Sequence, residues 1–361
     1  MERMVKQIKL GLIGLSEGNG HPYSFSAIIN GYDKQAMQKS DWSVIYNYLL
    51  KCDKQDFLNR NDVAITHLYT QDKQVSENLS RACKIPYIVN SLEELALAPI
   101  DGVILARDDW QNHKAMAKPF LESHKFVFID KPLSLNMQDI AYFTPFLEQN
   151  RLMSCSGMRY ARELDSIRKA IKEDGESIRF VEASIGSAWD RYFIHLIDAI
   201  MGLTPFKATH IEVMRLDFCV SALIQTQSFH IQLNNINASF QPCTLTITTD
   251  KNRYTITLSD NFSAFRRAMG HFVALMEGES FDYQSTLEAM DILSQIKAKL
   301  EKVGNLAGGG DRLNSFVDSP TFFAPTFYQS LFVSHSFTFV DCFISTHSFA
   351  PVAHLSFAEV A

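Results

Sequence analysis

The stretch that decides the fold spans residues 126–132 and reads Phe-Val-Phe-Ile-Asp-Lys-Pro. Its four apolar residues predict a buried strand, so Asp130, Lys131 and Pro132 stand at the carboxyl end of that strand. Doubly wound sheets bind their ligands at this edge. A lysine there can donate a hydrogen bond to a substrate hydroxyl and stabilise negative charge on its oxygen. Lysines are more often exposed loop residues, but the place of Lys131 at a strand end favours a functional site.

Outward from that strand, the first 135 residues alternate between short apolar runs and helical patterns. The other runs are Ile8 to Leu15, Ala64 to Tyr69, Tyr87 to Val89 and Gly102 to Ala106. Such alternation predicts a parallel, doubly wound α/β sheet, and we assign residues 1–135 to it. Residues 32–63 are too many for an ordinary connection. They predict an inserted helical lobe near the entrance of a cofactor site, or else a surface elaboration without a role in chemistry.

The pattern changes in the second half of the chain. Residues 136–303 contain several alternating runs, including Leu245 to Thr248 and Tyr254 to Leu258 with a turn between them. They predict an α+β domain with an open, largely antiparallel sheet. Residues 304–361 begin with glycines and are rich in Phe and Ser. This extension could be an edge ribbon that mediates oligomerisation, or a poorly packed addition.

Composition limits the classes of function. The chain has 361 residues, of which 46% are hydrophobic and 20% charged, with a net charge of −6. This balance is typical of a globular protein and argues against binding of nucleic acid. Apolar runs stay short of the roughly 18 residues of a membrane span. Six separated cysteines without a CxxC pair predict reduced thiols and a cytoplasmic location, and the histidine spacing predicts no metal site.

A glycine-rich turn follows the first apolar run. It reads Gly14, Leu15, Ser16, Glu17, Gly18, Asn19, Gly20. Between a first strand and a first helix, such a turn lets backbone amides approach a pyrophosphate. It departs from the G-x-G-x-x-G pattern, since Ser16 holds the second glycine position, and it could be an ordinary loop. Thr70 stands where an acid would bind the ribose of NAD, so the choice between NAD and NADP stays open.

These motifs together resemble the glucose–fructose oxidoreductase and inositol dehydrogenase family (Gfo/Idh/MocA). The resemblance covers residues 5–303, and it rests on the order of the glycine turn, the segment 106–113, Ile129-Asp130-Lys131-Pro132, Gly157-Met158-Arg159-Tyr160 and His195-Leu196-Ile197-Asp198. It implies a Rossmann domain followed by a substrate domain. The last 58 residues lie outside it.

The resemblance also implies roles for individual residues. Lys131 would be the catalytic lysine of the family's E-K-P motif, with Asp130 in place of Glu. His195 would contact the reacting hydroxyl, with Asp198 on the same helical face to orient its imidazole. A histidine in so apolar a helix is otherwise more often a core residue. The cofactor would also contact the segment after the fourth strand, through Ala106, Arg107, Asn112 and His113.

The chain departs from the family just before His195. Many members carry an Asp four residues earlier, where this chain has Arg191, so Asp190 would serve as the acid or the acid is missing. Arg191 would favour an anionic substrate. Trp189 and Tyr192 could form a platform for a sugar ring, or simply pack. The remaining candidate substrate residues are Arg159, Tyr160 and Asp198.

The resulting prediction is an NAD(P)-dependent oxidoreductase acting on a sugar, sugar nucleotide or polyol. Lys131 and His195 would share the proton that accompanies hydride transfer. A non-catalytic dinucleotide-binding sensor or scaffold with the same fold is the alternative, and loss of both cofactor and catalysis is a third. The open sheet of the second domain predicts a homo-oligomer.

Overall fold

Parallel strands build the first half of the molecule, in a computed structural model that describes residues 7–306 except 59 and 237–240. The strands are β1 (Ile8–Ile13), β2 (Val63–Tyr69), β3 (Tyr87–Ile88), β4 (Gly102–Leu105), β5 (Phe126–Ile129) and β6 (Leu152–Ser154). Their spatial order is β3-β2-β1-β4-β5-β6, and all neighbours pair in parallel. The order reverses between β1 and β4, which is where doubly wound sheets bind ligands. The predicted fold class is confirmed.

Helices connect and cover these strands. They are α1 (His21–Asn30), α2 (Lys34–Gln38), α3 (Ser43–Leu49), α4 (Lys73–Cys83), α5 (Leu92–Leu97), α6 (His113–Glu122) and α7 (Met137–Glu148). The central strands are buried on both faces, so Leu10 and Leu12 of β1 and Ile104 of β4 are fully buried. Near-continuous apolar runs are typical of such strands, which is why the sequence predicts them well.

The first sheet extends beyond residue 135, the end predicted for it. Val127 of β5 pairs with Leu152 of β6, so α7 and β6 complete this sheet. The sequence pattern changes after Gln149, before β6, so the pattern alone did not assign β6 to the first sheet. The division into domains itself stays a prediction.

The insertion between α1 and β2 packs on the glycine-rich turn. It holds α2 and α3, and a Cβ added at Gly20 would lie only 2.5 Å from the indole of Trp42. The Tyr48 hydroxyl of α3 donates to Ser24 of α1. Gly20 is therefore required by the close approach of the insertion.

A second, mixed sheet follows. Its strands are β7 (Ile178–Gly186), β8 (Ala208–Leu216), β9 (Cys219–Thr226), β10 (His230–Ile236), β11 (Cys243–Thr249) and β12 (Arg253–Leu258), in the order β12-β11-β7-β10-β9-β8. Only β7 and β10 pair in parallel. The helices of this half are α8 (Asp165–Lys172), α9 (Trp189–Met201), α10 (Asn261–Met276) and α11 (Tyr283–Leu306).

One face of the second sheet is covered and the other is open. Helix α9 packs on β7 and β10, and α11 packs on β8. Alternate residues such as Val181, Ala183, Ile231 and Leu233 are buried beneath these helices. None of the helices in the described ranges is long and apolar enough to cross a membrane. The predictions for residues 307–361 lie outside the described residues.

Candidate active site

The carboxylate of Asp130 is the anchor of the site. It is 2% exposed and lies directly after β5. Its Oδ2 accepts hydrogen bonds from Asn19 Nδ2 (3.0 Å) and pairs with His21 Nδ1 (2.6 Å), while its Oδ1 accepts from the backbone N–H of Lys131 (2.9 Å). Burial acts to raise the pKa of Asp130, but His21, Lys131 and Asn19 outweigh it and hold the pKa well below its ordinary value. Asp130 is thus an ionised support for the glycine-rich turn and the lysine.

Lys131 lies buried at the carboxyl edge of the sheet, with 4% of the residue exposed. Its Nζ is 3.7 Å from Asp108 Oδ2 and 5.6 Å from the centre of the Tyr192 ring. The other oxygen of Asp108 accepts a hydrogen bond from the Ser16 hydroxyl (2.7 Å), which in turn accepts from the Asp108 amide (3.2 Å). Ser16 stands at the second glycine position of the G-x-G-x-x-G pattern, and its hydroxyl holds the Asp108 carboxylate that faces Lys131.

The backbone amides that the glycine-rich turn offers to a phosphate belong to the loop more than to the start of helix α1. The N–H of His21 already donates to the Asn19 side chain (2.9 Å), and Pro22 has no N–H. Within the described residues, the amides of residues 16–18 have no hydrogen-bond partner. Gly18 has φ of +74°, with open space where a Cβ would lie. Residues 16–18 therefore fit the approach of a pyrophosphate, and the predicted turn lies at the switch point of the sheet.

Thr70 lies beside this turn, with its methyl carbon 4.0 Å from where a Cβ on Gly14 would be. Its hydroxyl donates to the carbonyl of Asp72 (2.6 Å) and bonds to Ser76 (2.7 Å) in the corner between β2 and α4, and its contact with the cofactor ribose stays a prediction. The next residue, Gln71, bonds to the turn directly. Its side chain accepts from the N–H of Leu15 (3.1 Å) and donates to the carbonyl of Leu15 (2.5 Å). The sequence pattern gave no signal for Gln71, since only the backbone direction distinguishes it from Thr70.

Arg107 links three loops at the same edge. Its guanidinium donates to the carbonyl of Leu15 (2.9 Å), to Gln71 Oε1 (2.9 Å) and, through two bonds of 2.8 and 2.7 Å, to Asp109. The neighbouring Ala106 is fully buried and bonds through its N–H to Ile13 (2.8 Å). Arg107 thus ties the glycine-rich turn to the loops after β2 and β4.

His113 lies beneath the site, which corrects its predicted contact with the cofactor. His113 is fully buried, and its ring nitrogens lie 2.9 Å from the carbonyl oxygens of Leu133 and Arg107. Burial lowers the pKa of His113, so its ring is neutral at neutral pH. Asn112 donates to Asp109 (2.7 Å). His113 thus links the loops after β4 and β5, whereas the exposed Asn112 bonds within the loop after β4 and its contact with the cofactor stays a prediction.

His195 lies half-buried on α9, with its Nδ1 2.7 Å from the Ser156 hydroxyl. The rings of Tyr192 and His195 are 5.5 Å apart. Burial lowers the pKa of His195 well below its ordinary value, and the charges of Lys131 and His21 lower it further. The histidine is therefore neutral at neutral pH, and it shares an electrostatic environment with Lys131.

Asp198 does not orient the imidazole of His195, contrary to the prediction. It is fully buried and accepts hydrogen bonds from Arg159 and from the backbone N–H of Ser156. Arg159 is 5% exposed and also donates to the carbonyl of Asp282 (3.2 Å). Burial would lower the pKa of Arg159, but the Asp198 carboxylate outweighs it and raises the pKa. This buried pair anchors the segment that carries Ser156, and neither member is open to a substrate.

The remaining candidates lie at the start of α9 or beside α10. Trp189 packs on Phe193 at 6.4 Å between ring centres, and Arg191 is exposed. Asp190 is half-buried, and burial together with the charge of Asp108 raises its pKa against the effect of Arg191. Tyr160 stacks on His271 at 4.2 Å, which makes it a packing residue of the α10 wall.

Four residues of the site were missed in the sequence: Gln71, Asp108, Ser156 and His21. Asp108 and Lys131 meet because β4 and β5 are neighbours, and His21 meets Asp130 across 109 positions of sequence. His21 could have been suspected from its place at the first position of α1, next to the glycine-rich turn. Ser156 stands in no recognisable pattern.

The sheet order and the polar cluster at its switch point define a Rossmann-type protein with a second, open-sheet half. A family model described as "Oxidoreductase family, NAD-binding Rossmann fold" (GFO_IDH_MocA) matches residues 50–155. The match confirms the resemblance to the Gfo/Idh/MocA oxidoreductases. No curated protein gives a significant sequence match.

Solved structures with the same fold include three inositol dehydrogenases. The apo scyllo-inositol dehydrogenase of Lactobacillus casei has a TM-score of 0.65 at 13% identity, covering 83% of this chain and 97% of its own. The myo-inositol 2-dehydrogenase of Lactobacillus plantarum has 0.64 at 12%, covering 82% and 98%. The myo-inositol dehydrogenase of Lactobacillus casei in complex with NAD(H) and myo-inositol has 0.62 at 14%, covering 82% and 95%. At these identities the similarity shows the fold.

Proposed function

We propose that the chain is an NAD(P)-dependent oxidoreductase that transfers a hydride to or from the hydroxyl or keto carbon of a sugar, sugar nucleotide or polyol. The observation that carries this proposal is the buried Lys131 beside Asp108 at the carboxyl edge of the Rossmann sheet. The charge of Lys131 helps to lower the pKa of the neutral His195. The oxidoreductase family match and the inositol dehydrogenase structures support the same chemistry.

The dinucleotide would be held by the glycine-rich turn and its neighbours. The free amides of residues 16–18 would bind the pyrophosphate, and Gln71 and Arg107 would border the adenosine half. A bound nicotinamide would accept or supply the hydride and so both electrons. Because the uncharged Thr70, with Gln71 beside it, stands where NAD-binding proteins carry an acid, we propose NAD or NADP as the cofactor.

The protein's own residues would manage the proton and position the substrate. In the reducing direction the carbonyl oxygen gains the π electron pair as the carbon gains hydride, and Lys131 would supply the proton to that oxygen. The raised pKa of Asp190 suits a general acid that works together with Lys131. Tyr192 and Trp189, half-buried at the start of α9, would form one wall for a polyol ring, and the exposed Arg191 would favour anionic substituents.

Replacing Lys131 tests the proposal. In Lys131→Met we expect turnover of a polyol or sugar substrate to fall about 10²–10⁴-fold, because the proton donor is lost. Binding of NADH or NADPH, measured by fluorescence titration, should change little. Lys125→Met is the matched control, since Lys125 precedes the same strand and donates to the carbonyl of Ile100 (2.8 Å) outside the site. Unchanged turnover in Lys131→Met contradicts the assignment.

The sensor or scaffold function is the other candidate. The observation that favours it is the capped start of α1, where Asn19 occupies the His21 amide that a pyrophosphate would otherwise use. Dinucleotide binding without turnover across a panel of inositols, sugars and sugar nucleotides supports this candidate. Absence of binding supports loss of both cofactor and catalysis.

We further propose a homo-oligomer through the open face of the second sheet. Its β8–β9 end exposes Met214 (55%), Leu216 (46%), Phe218 (64%) and Leu223 (46%). Clustered exposed apolar side chains favour a protein interface. The free cysteines of the described residues (Cys52, Cys83, Cys155, Cys219, Cys243) support a cytoplasmic location for the assembly.

A charge placed on this face tests the oligomer. We expect Leu223→Asp to reduce the mass measured by light scattering after size-exclusion chromatography, because a carboxylate would be buried in the interface. Leu97→Asp is the control, since Leu97 is 88% exposed on α5, away from the second sheet. Equal masses for the wild type and Leu223→Asp contradict this interface.

A further inference from the structure

The hydroxyl of Ser156 determines which nitrogen of His195 carries the proton. Ser156 is fully buried just after β6, and its Oγ has two neighbours. The backbone N–H of Met158 donates to it at 3.1 Å, and Nδ1 of His195 lies 2.7 Å away. The backbone N–H of Ser156 bonds to the buried Asp198. The serine is therefore fixed at both its backbone and its side chain.

A count of donors and acceptors fixes the direction of the bond between Ser156 and His195. A hydroxyl has one hydrogen and two lone pairs, and the Met158 N–H occupies one lone pair. Among the described residues, Nδ1 of His195 is the acceptor within reach of the hydroxyl hydrogen. If Nδ1 carried a proton, it could not accept from Ser156, and the hydroxyl hydrogen of Ser156 would be buried without an acceptor, which is costly. The favourable arrangement is a hydroxyl that donates to a bare Nδ1, with the proton on Nε2.

The charges around His195 keep the ring from taking a second proton. Lys131 from the β5 exit and His21 from the start of α1 disfavour the imidazolium, and Asp130 opposes them more weakly. The Tyr192 ring lies against the imidazole, with 5.5 Å between the ring centres. The ring is thus a neutral imidazole with a single tautomer.

We propose that Ser156 is a positioning residue that holds the proton of His195 on Nε2, so that the histidine presents an N–H donor to the oxygen of the reacting carbon. The inference rests on the proposed oxidoreductase function and divides the proton work within it. In the reducing direction the carbonyl carbon gains hydride from the reduced nicotinamide, and the oxygen gains the π electron pair. His195 Nε2–H then stabilises that oxygen and keeps its own proton, while the Lys131 ammonium gives the proton that completes the hydroxyl.

The tautomer can be read without cofactor or substrate. In protein labelled with ¹⁵N-histidine, long-range ¹H–¹⁵N spectra distinguish the two tautomers, and a His195→Asn variant assigns the signals. We expect the Nε2–H form in the wild type and in Ser156→Thr, which keeps the hydroxyl. In Ser156→Ala we expect both tautomers. A wild-type ring protonated on Nδ1, or an unchanged tautomer in Ser156→Ala, overturns the inference.

Kinetics supply the second arm. Ser156→Ala should lower kcat roughly 10- to 100-fold with little change in KM, because the donor to the developing charge is misplaced in part of the molecules. Ser156→Thr should restore most of the rate. Ser26→Ala is the control, since the buried Ser26 hydroxyl on α1 has no hydrogen-bond partner among the described residues. If the wild type and all variants lack turnover while the tautomer is as expected, the proposed function is refuted, and Ser156 keeps its role in setting the tautomer of His195. A full rate in Ser156→Ala overturns the positioning role of Ser156.

Discussion

Asp130 shows how side chains from another element hold a buried carboxylate. Asn19 of the glycine-rich turn and His21 of α1 both reach it. The buried carboxylate therefore has three donors, and its ionisation depends on them.

A double-mutant cycle measures this dependence. For His21→Ala and Asp130→Asn we expect a coupling of about 1–3 kcal/mol in the free energy of unfolding, because the pair at 2.6 Å is shielded from water. Urea denaturation of the wild type, both single variants and the double variant gives the value.

The control is a second histidine–carboxylate pair with the same chemistry and a different environment. His210 and Glu212 lie 2.5 Å apart on the open sheet, with side chains 58% and 63% exposed. Their coupling should be no more than about 0.5 kcal/mol. Equal couplings for the two pairs would contradict the argument from burial.

At the level of single residues, the sequence predicted the side chains whose place follows from a strand end. Asp130 and Lys131 come directly after β5, so their position was readable. Ser156 and Asp108 were missed because their roles depend on side-chain rotamers and on partners from other strands. Asp198 was misassigned because helical spacing places it on the same face as His195, while the buried Arg159 attracts its carboxylate.

Helix α9 and the segment after β6 approach each other closely near the site. Gly202 caps the end of α9, and a Cβ there would overlap the carbonyl oxygen of Arg159. Arg168 of α8 donates to the carbonyls of both Gly202 (2.9 Å) and Arg159 (2.8 Å). Because Ser156 and His195 stand on these two elements, the junction fixes their distance.

Two glycine substitutions should have opposite effects on stability. Gly202→Ala should destabilise the protein by about 1–3 kcal/mol, since backbone must move to admit the methyl group. Gly270→Ala should stabilise it by about 0.5–1 kcal/mol, since Gly270 lies inside α10 and its nearest neighbour to a new Cβ is Leu58 at 3.8 Å. Urea denaturation checks both signs. A Gly202→Ala protein as stable as the wild type argues against the tight junction.

Strands and helices of the first half were predictable because their patterns are strong. Buried parallel strands read as continuous apolar runs, and Asp72 and Asn136 cap α4 and α7 with their side chains. The end of the first sheet was not readable, because β6 has only three residues. The helical insertion was predicted from its length, but its contact with Gly20 follows only from the packed structure.

Over the whole molecule, two histidines held neutral make folding sensitive to acid. The folded pKa of His113 and that of His195 are both lowered, by burial above all. As the pH falls below about 6.5, the unfolded chain binds protons that the folded chain refuses, so stability falls. Each histidine contributes up to about 1.4 kcal/mol per pH unit until its folded pKa is reached.

The free energy of unfolding between pH 8 and 5 tests this effect. In His113→Asn the free energy of unfolding should decline less steeply below pH 6.5. The slope should fall by the contribution of about one proton, because one titrating group is gone. His230→Asn, which removes an exposed histidine of the second sheet, is the control. A slope that is the same in all three proteins shows that His113 does not resist protonation in the folded state.

Because His21 pairs with Asp130, the two positions should also change together in evolution. A glutamate at position 130 would push its carboxylate into the space of the imidazole, and a smaller residue at position 21 would strand the aspartate. Each change alone should therefore cost stability, although 109 positions separate the two residues along the chain. Descendants and ancestors of this sequence should therefore carry either the aspartate with its histidine or the glutamate without it, and chimeras that exchange only the first strand and helix should fail at this joint.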